Sequence, residues 1–126
     1  MLIHGDLLGQ NILLHPAEPP AVIDWQAARR GDAAYDLAIV TRGVRRPFQI
    51  DHGLARLLDA YAACAPRPIP ATAVHLYELC LAGHWYREAL EGTGARDPVD
   101  QALRRVEQVL GRARAAEAAE RLRASG

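Results

Sequence analysis

The chain has 126 residues, half of them apolar, and fifteen acidic side chains balance fifteen basic ones. This length allows one domain with a hydrophobic core, and the balanced charge gives no electrostatic basis for binding nucleic acid or an anionic membrane. All fifteen basic residues are arginine, since lysine does not occur. Cys64 and Cys80 form no CxxC pair and have no zinc-binding spacing to histidine, so we expect small buried thiols.

No signal peptide is recognisable, and no apolar run reaches the roughly 18 residues of a transmembrane helix. These features predict a cytoplasmic protein. They also predict no membrane partner.

The first quarter of the chain has the pattern of short strands and tight loops. Leu2 and Ile3 are a short apolar segment, and residues 11–14 and 21–24 are predicted as two further strands. The intervening "HPAEPP" is predicted as a turn, because proline cannot serve a central strand. The two strands and their turn predict a small hairpin.

Four helices are predicted after residue 32. The first begins after Asp32, a predicted N-cap, and ends near the "RRP" at 45–47. The others cover about 51–64, 71–90 and a segment from 97 onward. A proline-rich connector is predicted at 65–71, and a solvated helical tail that frays from residue 112. Two apolar helix faces are expected, formed by Leu54, Leu57, Leu58 and Tyr61 and by Val99, Leu103, Val106, Leu110 and Ala113. The predicted class is α+β, in one domain over 1–126, with loops and hairpin over 1–32 and helices over 33–124.

Polar residues are concentrated in the loops around the predicted hairpin. Asp6 precedes Asn11 by five residues, and Asn11 precedes Asp24 by thirteen. The first interval is that of the protein-kinase catalytic loop, in which the aspartate accepts a hydroxyl proton. Carboxylate and carboxamide oxygens are hard ligands that suit Mg²⁺ beside phosphate groups, so Asn11 and Asp24 are candidate metal ligands and Asp6 a candidate base.

These motifs resemble the aminoglycoside phosphotransferase and choline kinase-like family. The segments "HGDLLGQNILL" and "VIDWQAARRGDAAYDLA" are similar to its pattern of HGDxxxxN, (I/V)D(W/F/Y) and GDxxxDLA, in order and spacing. The resemblance implies a mainly helical, protein-kinase-like C-terminal lobe that uses Mg²⁺ and ATP or GTP to phosphorylate a small-molecule hydroxyl. It implies Asp6 as the catalytic base and Asn11 and Asp24 as the Mg²⁺ ligands, with Asp36 bracing the catalytic loop.

Members of this family carry an N-terminal lobe with a nucleotide-clamping lysine. This chain begins shortly before His4 and contains no lysine. The resemblance therefore implies a truncated or partial enzyme, a C-terminal lobe without its nucleotide lobe. The alternative function is a non-catalytic interaction module that forms a homodimer through the surface which the missing lobe would cover. A metal-dependent hydrolase is disfavoured, because histidine ligands are missing.

Other polar residues are predicted to be structural. His4, Asp32 and Asp36 are expected to support the site, and Trp25 is expected to pack in the core beside the metal. The aromatic side chains near residue 80 are expected to pack between helices while Glu78 and Glu88 face solvent; the alternative is an acidic face for a cationic substrate. The arginines of "RRGD" and "RGVRR" are expected at the surface, with phosphate binding as the alternative. The substrate-binding residues stay unassigned.

Overall fold

A computed structural model of the chain describes residues 1–42, 52–94 and 97–125. Over these residues the chain forms four short strands and four α-helices. The helices are much the longer elements, and the strands pair only as two small sheets. The predicted α+β class, mainly helical, is confirmed.

The chain divides into two compact units, Met1–Ile69 and Pro70–Gly126. The boundary falls in the proline-rich segment 65–70, which has neither helix nor strand. Proline fixes its own backbone and cannot continue a helix, so the predicted connector is confirmed. That the whole chain forms one domain stays a prediction.

The strands form two antiparallel pairs. They are β1 (Leu2–Ile3) with β4 (Arg29–Arg30), and β2 (Ile12–His15) with β3 (Glu18–Val22). The second pair confirms the predicted hairpin. The pairing of β1 with β4 was not predicted, because each of these strands is only two residues long and their partners lie far apart in sequence.

The predicted "HPAEPP" turn was wrong in its length, because β3 already begins at Glu18. Leu13 pairs with Ala21 and His15 pairs with Glu18, so a single residue of β2 lies opposite both Pro19 and Pro20. This irregularity is the kind of bulge at which a strand tolerates residues without a backbone N–H.

Helix α1 (Ala33–Arg42) is the core helix of the first unit. The Asp32 carboxylate accepts the backbone N–H of Ala34 at 2.9 Å, which confirms the predicted N-cap. Leu37 and Ile39 are buried in α1, as is Ile3 of β1, which contacts the helix. Burial of this helix fixes the position of the polar residues in its first turn.

Helix α2 (Gly53–Cys64) follows in the same unit. The four side chains of its predicted apolar face are half-buried, as expected: Leu54, Leu57, Leu58 and Tyr61. The predicted helix end at 45–47, the predicted helix start at 51 and most of the "RGVRR" segment lie outside the described residues.

The second unit consists of α3 (Ala71–Glu91) packed against α4 (Val99–Ala124). The predicted apolar face of α4 was wrong in part. Val99 and Leu103 are exposed, whereas Ala102 and Val109 are buried. Small side chains let two helices approach closely, so an alanine such as Ala102 can mark the buried face. No helix in the described part of the chain has both the length and the apolar character needed to cross a bilayer.

The predicted tail is helical to Ala124, as expected, but it does not fray, because its C-terminal part is tied to α3. The Thr72 hydroxyl donates to one Glu120 carboxylate oxygen at 2.8 Å, and the Thr72 backbone N–H donates to the other at 3.3 Å. The carboxylate thereby accepts a backbone donor of the first turn of α3. The C-terminal part of α4 is therefore fixed against the start of α3.

Two expectations about burial in the helices were wrong. Cys64 and Cys80 are free thiols, but both are exposed. Glu78 is only 5% exposed, and its Oε2 lies 2.8 Å from His75 Nδ1 and 3.4 Å from Arg112 Nη2. Hydrogen bonds from both partners allow the carboxylate to be buried, which sequence spacing alone did not indicate.

We expect Glu78→Ala to lower the free energy of unfolding by about 1–3 kcal/mol, because it leaves the buried His75 ring nitrogen without its partner. Urea denaturation followed by circular dichroism measures the change. Glu107→Ala, at an exposed position of α4, is the matched control and should change the free energy by less than about 0.5 kcal/mol. Equal effects of the two substitutions would contradict this account of the buried carboxylate.

Candidate active site

The loop between β1 and β2, residues 4–11, is anchored to the first turn of α1. The Asp36 carboxylate accepts the backbone N–H of His4 at 2.7 Å and that of Gly5 at 2.8 Å, one on each oxygen. Hydrogen bonds to an ionised acceptor are about twice as strong as neutral ones. Since α1 is packed in the core, the hydrogen bonds to Asp36 fix the position of the loop relative to this helix.

Gly5 adopts a left-handed backbone conformation with φ of +83°. A Cβ at this position would lie 2.3 Å from the Ala27 carbonyl oxygen and 2.7 Å from Arg29 Nη1. Only glycine fits both the backbone angle and this close approach. The loop therefore turns sharply immediately before Asp6.

The buried His4 ring joins this loop to the segment that precedes Asp24. Its Nδ1 accepts the backbone N–H of Asp6 at 3.3 Å, so the proton lies on Nε2, which donates to the Ile23 carbonyl at 2.8 Å. The ring also makes an edge contact with Trp25, with 4.8 Å between ring centroids. His4 thus holds the backbone next to two of the candidate site residues.

Asn11 lies at the end of a 3₁₀ turn, Gly9–Asn11, directly before β2, rather than at the start of the strand as predicted. It is 5% exposed. Its side-chain amide donates to the Asp6 carbonyl oxygen at 2.8 Å and to Asp6 Oδ2 at 3.3 Å. Its own backbone carbonyl accepts the N–H of Ile23 at 2.9 Å. Asn11 is therefore bonded both to Asp6 and to the residue that precedes Asp24.

The prediction that Asp24 ends a strand was wrong. Asp24 lies after the end of β3, in a left-handed conformation with φ of +64°. This conformation is uncommon for a residue other than glycine, although aspartate tolerates it better than most. Its side chain is exposed, and the Asp6 side chain is half-buried. Unusual backbone of this kind is concentrated at functional sites.

Trp25 is not part of the core, contrary to expectation. Its side chain is 50% exposed, and the indole N–H donates to the Val22 carbonyl at 2.9 Å. Trp25 immediately follows the left-handed Asp24, and besides this hydrogen bond its ring makes the edge contact with His4. The ring therefore forms part of the surface beside Asp24.

The donor types in this cluster suit a hard cation. Within residues 1–42, 52–94 and 97–125, no three His, Cys, Asp or Glu side chains come together as a metal site. The candidate site instead offers the carboxylate of Asp6 and the carboxamide of Asn11, which are bonded to each other, and the carboxylate of Asp24, which follows the residue bonded to the Asn11 backbone. Because the Asn11 nitrogen is engaged by Asp6, the carboxamide oxygen is the atom left to serve as a ligand. Oxygen donors of this kind fit Mg²⁺ and do not fit a zinc site.

The loop conformation has further contacts that sequence spacing did not indicate. Arg29 of β4 stacks on the Tyr35 ring of α1, with its Cζ 4.6 Å from the ring centroid. Both residues lie beside the loop, yet neither belongs to a recognised catalytic pattern. β4 has only two residues, which is too short for a pattern in the sequence to predict this contact.

The candidate site thus has an aspartate and an asparagine on one anchored loop, and a second aspartate that follows Ile23, the residue bonded to this loop. A family model described as the phosphotransferase enzyme family, APH, matches residues 1–71. This match covers more than half of the 126 residues, and the chain belongs to that family. It includes every residue of the candidate site. A search of curated proteins and a search of solved structures each returned no match.

Proposed function

We propose that the chain is a small-molecule kinase, built on a kinase-like C-terminal lobe, that transfers the γ-phosphate of ATP or GTP to a hydroxyl group. Membership of the phosphotransferase family supports the reaction class. The single observation that carries the proposal is the bonding of Asn11, which links Asp6 on one side and the Ile23 backbone, next to Asp24, on the other. Base and metal ligands of a phosphotransferase must be held together in this way.

In this proposal Asp6 orients the acceptor hydroxyl and takes its proton. The hydroxyl oxygen forms a bond to the γ-phosphorus, the bond between that phosphorus and the bridging oxygen breaks, and the nucleoside diphosphate leaves. The role of Asp6 is typically worth about 10²–10⁴ in rate. A half-buried carboxylate on an anchored loop is well suited to it, because its position is fixed before substrate binds.

Asn11 and Asp24 are proposed to hold Mg²⁺, through a carboxamide oxygen and a carboxylate. The metal, when bound, supplies positive charge to the phosphate oxygens. His4, Asp32 and Asp36 are proposed to support the site. His4 and Asp36 bond the loop directly, and Asp32 caps the helix that carries Asp36.

The test is to incubate the full chain with Mg·ATP and, separately, an aminoglycoside, choline, a hexose and an amino alcohol. We expect ³¹P NMR to show a new phosphate monoester and an equal amount of ADP with one acceptor class. ATP that stays intact with every acceptor, together with GTP that stays intact in a parallel set of incubations, would contradict the proposal. ADP and inorganic phosphate without an ester would indicate hydrolysis and contradict transfer to a hydroxyl.

A second candidate function, a non-catalytic module that forms a homodimer, has one observation in its favour. The hairpin exposes apolar side chains, among them Leu13 at 53% and Leu14 at 79%. Such side chains are common at self-association surfaces. Sedimentation velocity over a range of concentrations tests this candidate. A dimer lost in Leu14→Glu would support it, and a monomer throughout would contradict it.

A further inference from the structure

Arg29 is an exposed residue whose guanidinium is nevertheless held by two contacts within the first unit. It stacks on the Tyr35 ring, and its Nη1 donates to the Ala27 carbonyl at 3.2 Å. It forms no ion pair with a carboxylate among the described residues. An exposed arginine usually pairs with a carboxylate or extends into solvent, so a stack on an aromatic ring indicates a specific position.

The guanidinium lies directly against the catalytic loop. The direction in which a Gly5 side chain would project is filled by Arg29 Nη1 and by the Ala27 carbonyl oxygen that Nη1 contacts. The N–H of Gly5 is at the same time bonded to Asp36. Gly5, the residue before Asp6, is therefore held on two sides. Its N–H is bonded to Asp36 of α1, and its α-carbon lies against Ala27 and Arg29.

Both sets of contacts depend on residues at the start of α1. Asp36 supplies the carboxylate that accepts the loop N–H groups, and its neighbour Tyr35 supplies the ring on which the Arg29 guanidinium lies. A planar guanidinium can stack on a ring and donate in its own plane at the same time, which a lysine ammonium cannot do. This combination suits Arg29 to bridge β4, α1 and the loop.

We propose that Arg29 is a positioning residue for Asp6: its guanidinium, stacked on Tyr35 and bonded to Ala27, keeps Gly5 in its left-handed conformation and so fixes where the Asp6 carboxylate points. This inference rests on the proposed function in so far as it concerns turnover. The contact with the loop does not depend on it. Arg29 touches no reacting atom in this proposal and acts only through Gly5.

The test uses the full chain and three variants: Arg29→Met, Tyr35→Leu and the double variant. Two measurements are made on each, the ¹H–¹⁵N resonances of the loop residues Gly5 and Asp6, and kcat and KM for turnover of Mg·ATP. Arg30→Met is the matched control, because Arg30 is also exposed and its side chain projects from the other face of β4.

We expect Arg29→Met to move both loop resonances and to lower kcat about 10- to 100-fold with KM for Mg·ATP changed less than twofold, since small displacements of a catalytic group are costly. Tyr35→Leu should move the same resonances. The double variant should have a kcat no lower than that of Arg29→Met, because both substitutions remove the same contact between Arg29 and Tyr35. Arg30→Met should leave the Gly5 and Asp6 resonances unmoved and should keep kcat within twofold of the wild-type value.

The two measurements separate this inference from the proposed function. If the wild-type chain turns over neither Mg·ATP nor Mg·GTP, the proposed function is overturned and the loop resonances alone decide the role of Arg29. Loop resonances unmoved by Arg29→Met would overturn the positioning role. Additive losses in the double variant would overturn it as well, because they would show that Arg29 and Tyr35 act independently.

Discussion

Asp6→Asn is expected to lower the rate of phosphate transfer by about 10²–10⁴-fold, the largest effect on activity of any substitution considered. The asparagine has the size of the aspartate but cannot take a proton from the acceptor hydroxyl. Its carbonyl oxygen can still accept the side-chain N–H that Asn11 now gives to Asp6 Oδ2 at 3.3 Å, so the loop is expected to keep its shape. The measurement is the initial rate of ADP formation with the acceptor found by ³¹P NMR.

The control for this prediction is Asp59→Asn, which removes one carboxylate from an exposed position of α2. It makes the same change of net charge, so a general electrostatic effect on ATP binding would appear in both variants. We expect the control to stay within about twofold of wild type. Asp6→Asn with more than a tenth of the wild-type rate would exclude Asp6 as the base.

Gly5→Ala is expected to produce the largest loss of stability in the first unit, about 2–5 kcal/mol. A left-handed backbone costs an alanine about 1–2 kcal/mol, and overpacking adds about 1–3 kcal/mol. The overlap is severe because the new Cβ would lie 2.3 Å from a backbone oxygen, that of Ala27, which cannot move as a side chain can. Urea denaturation measures the loss, and the displaced loop should also lower the rate of transfer.

Gly9→Ala is the matched control in the same loop. A Cβ at Gly9 meets nothing within 4 Å, and its φ is not positive. A glycine replaced where alanine fits commonly gains about 0.4–1 kcal/mol, because the unfolded chain loses freedom. We therefore expect Gly9→Ala to be neutral or slightly stabilising. A Gly5→Ala variant as stable as Gly9→Ala would contradict the described backbone of the loop.

The helical elements were predictable from sequence because their signals are local. Asp32 stands directly before a helical segment, and its carboxylate caps that helix as predicted. The four apolar positions of α2 repeat at helical spacing and are half-buried together. The proline-rich connector likewise needs no information from distant residues, since proline restricts its own backbone.

The strands and the burial of polar residues were harder to predict, because they depend on distant partners. Pro19 and Pro20 argue against a strand when taken alone, yet the pairing of β2 with β3 is irregular at this point, and such a bulge tolerates residues without a backbone N–H. Glutamate is usually found at the surface, but Glu78 is buried because His75 and Arg112 pair with it. The choice of partner is a property of packing, which helical spacing does not contain.

The candidate site was predictable in its residue types but not in its connections. The motif spacing selects Asp6, Asn11 and Asp24, and the family match covers all three. It does not show that Asn11 bonds to both the Asp6 loop and Ile23, nor that Asp24 is left-handed. These features arise where two loops meet, so they require the three-dimensional structure. Their roles in metal binding and catalysis stay predictions.

The most direct measurement of the central claim is titration of the ¹⁵N-labelled chain with Mg²⁺ in the presence of a non-hydrolysable ATP analogue. We expect the Asn11 side-chain amide and the Asp24 backbone amide to shift together, and Mn²⁺ to broaden both. Asp24→Asn should weaken the metal affinity by about tenfold or more, while Asp59→Asn should not. Resonances of Asn11 and Asp24 that do not respond to the metal, or an Asp24→Asn variant that binds it as tightly as wild type, would contradict the proposed site.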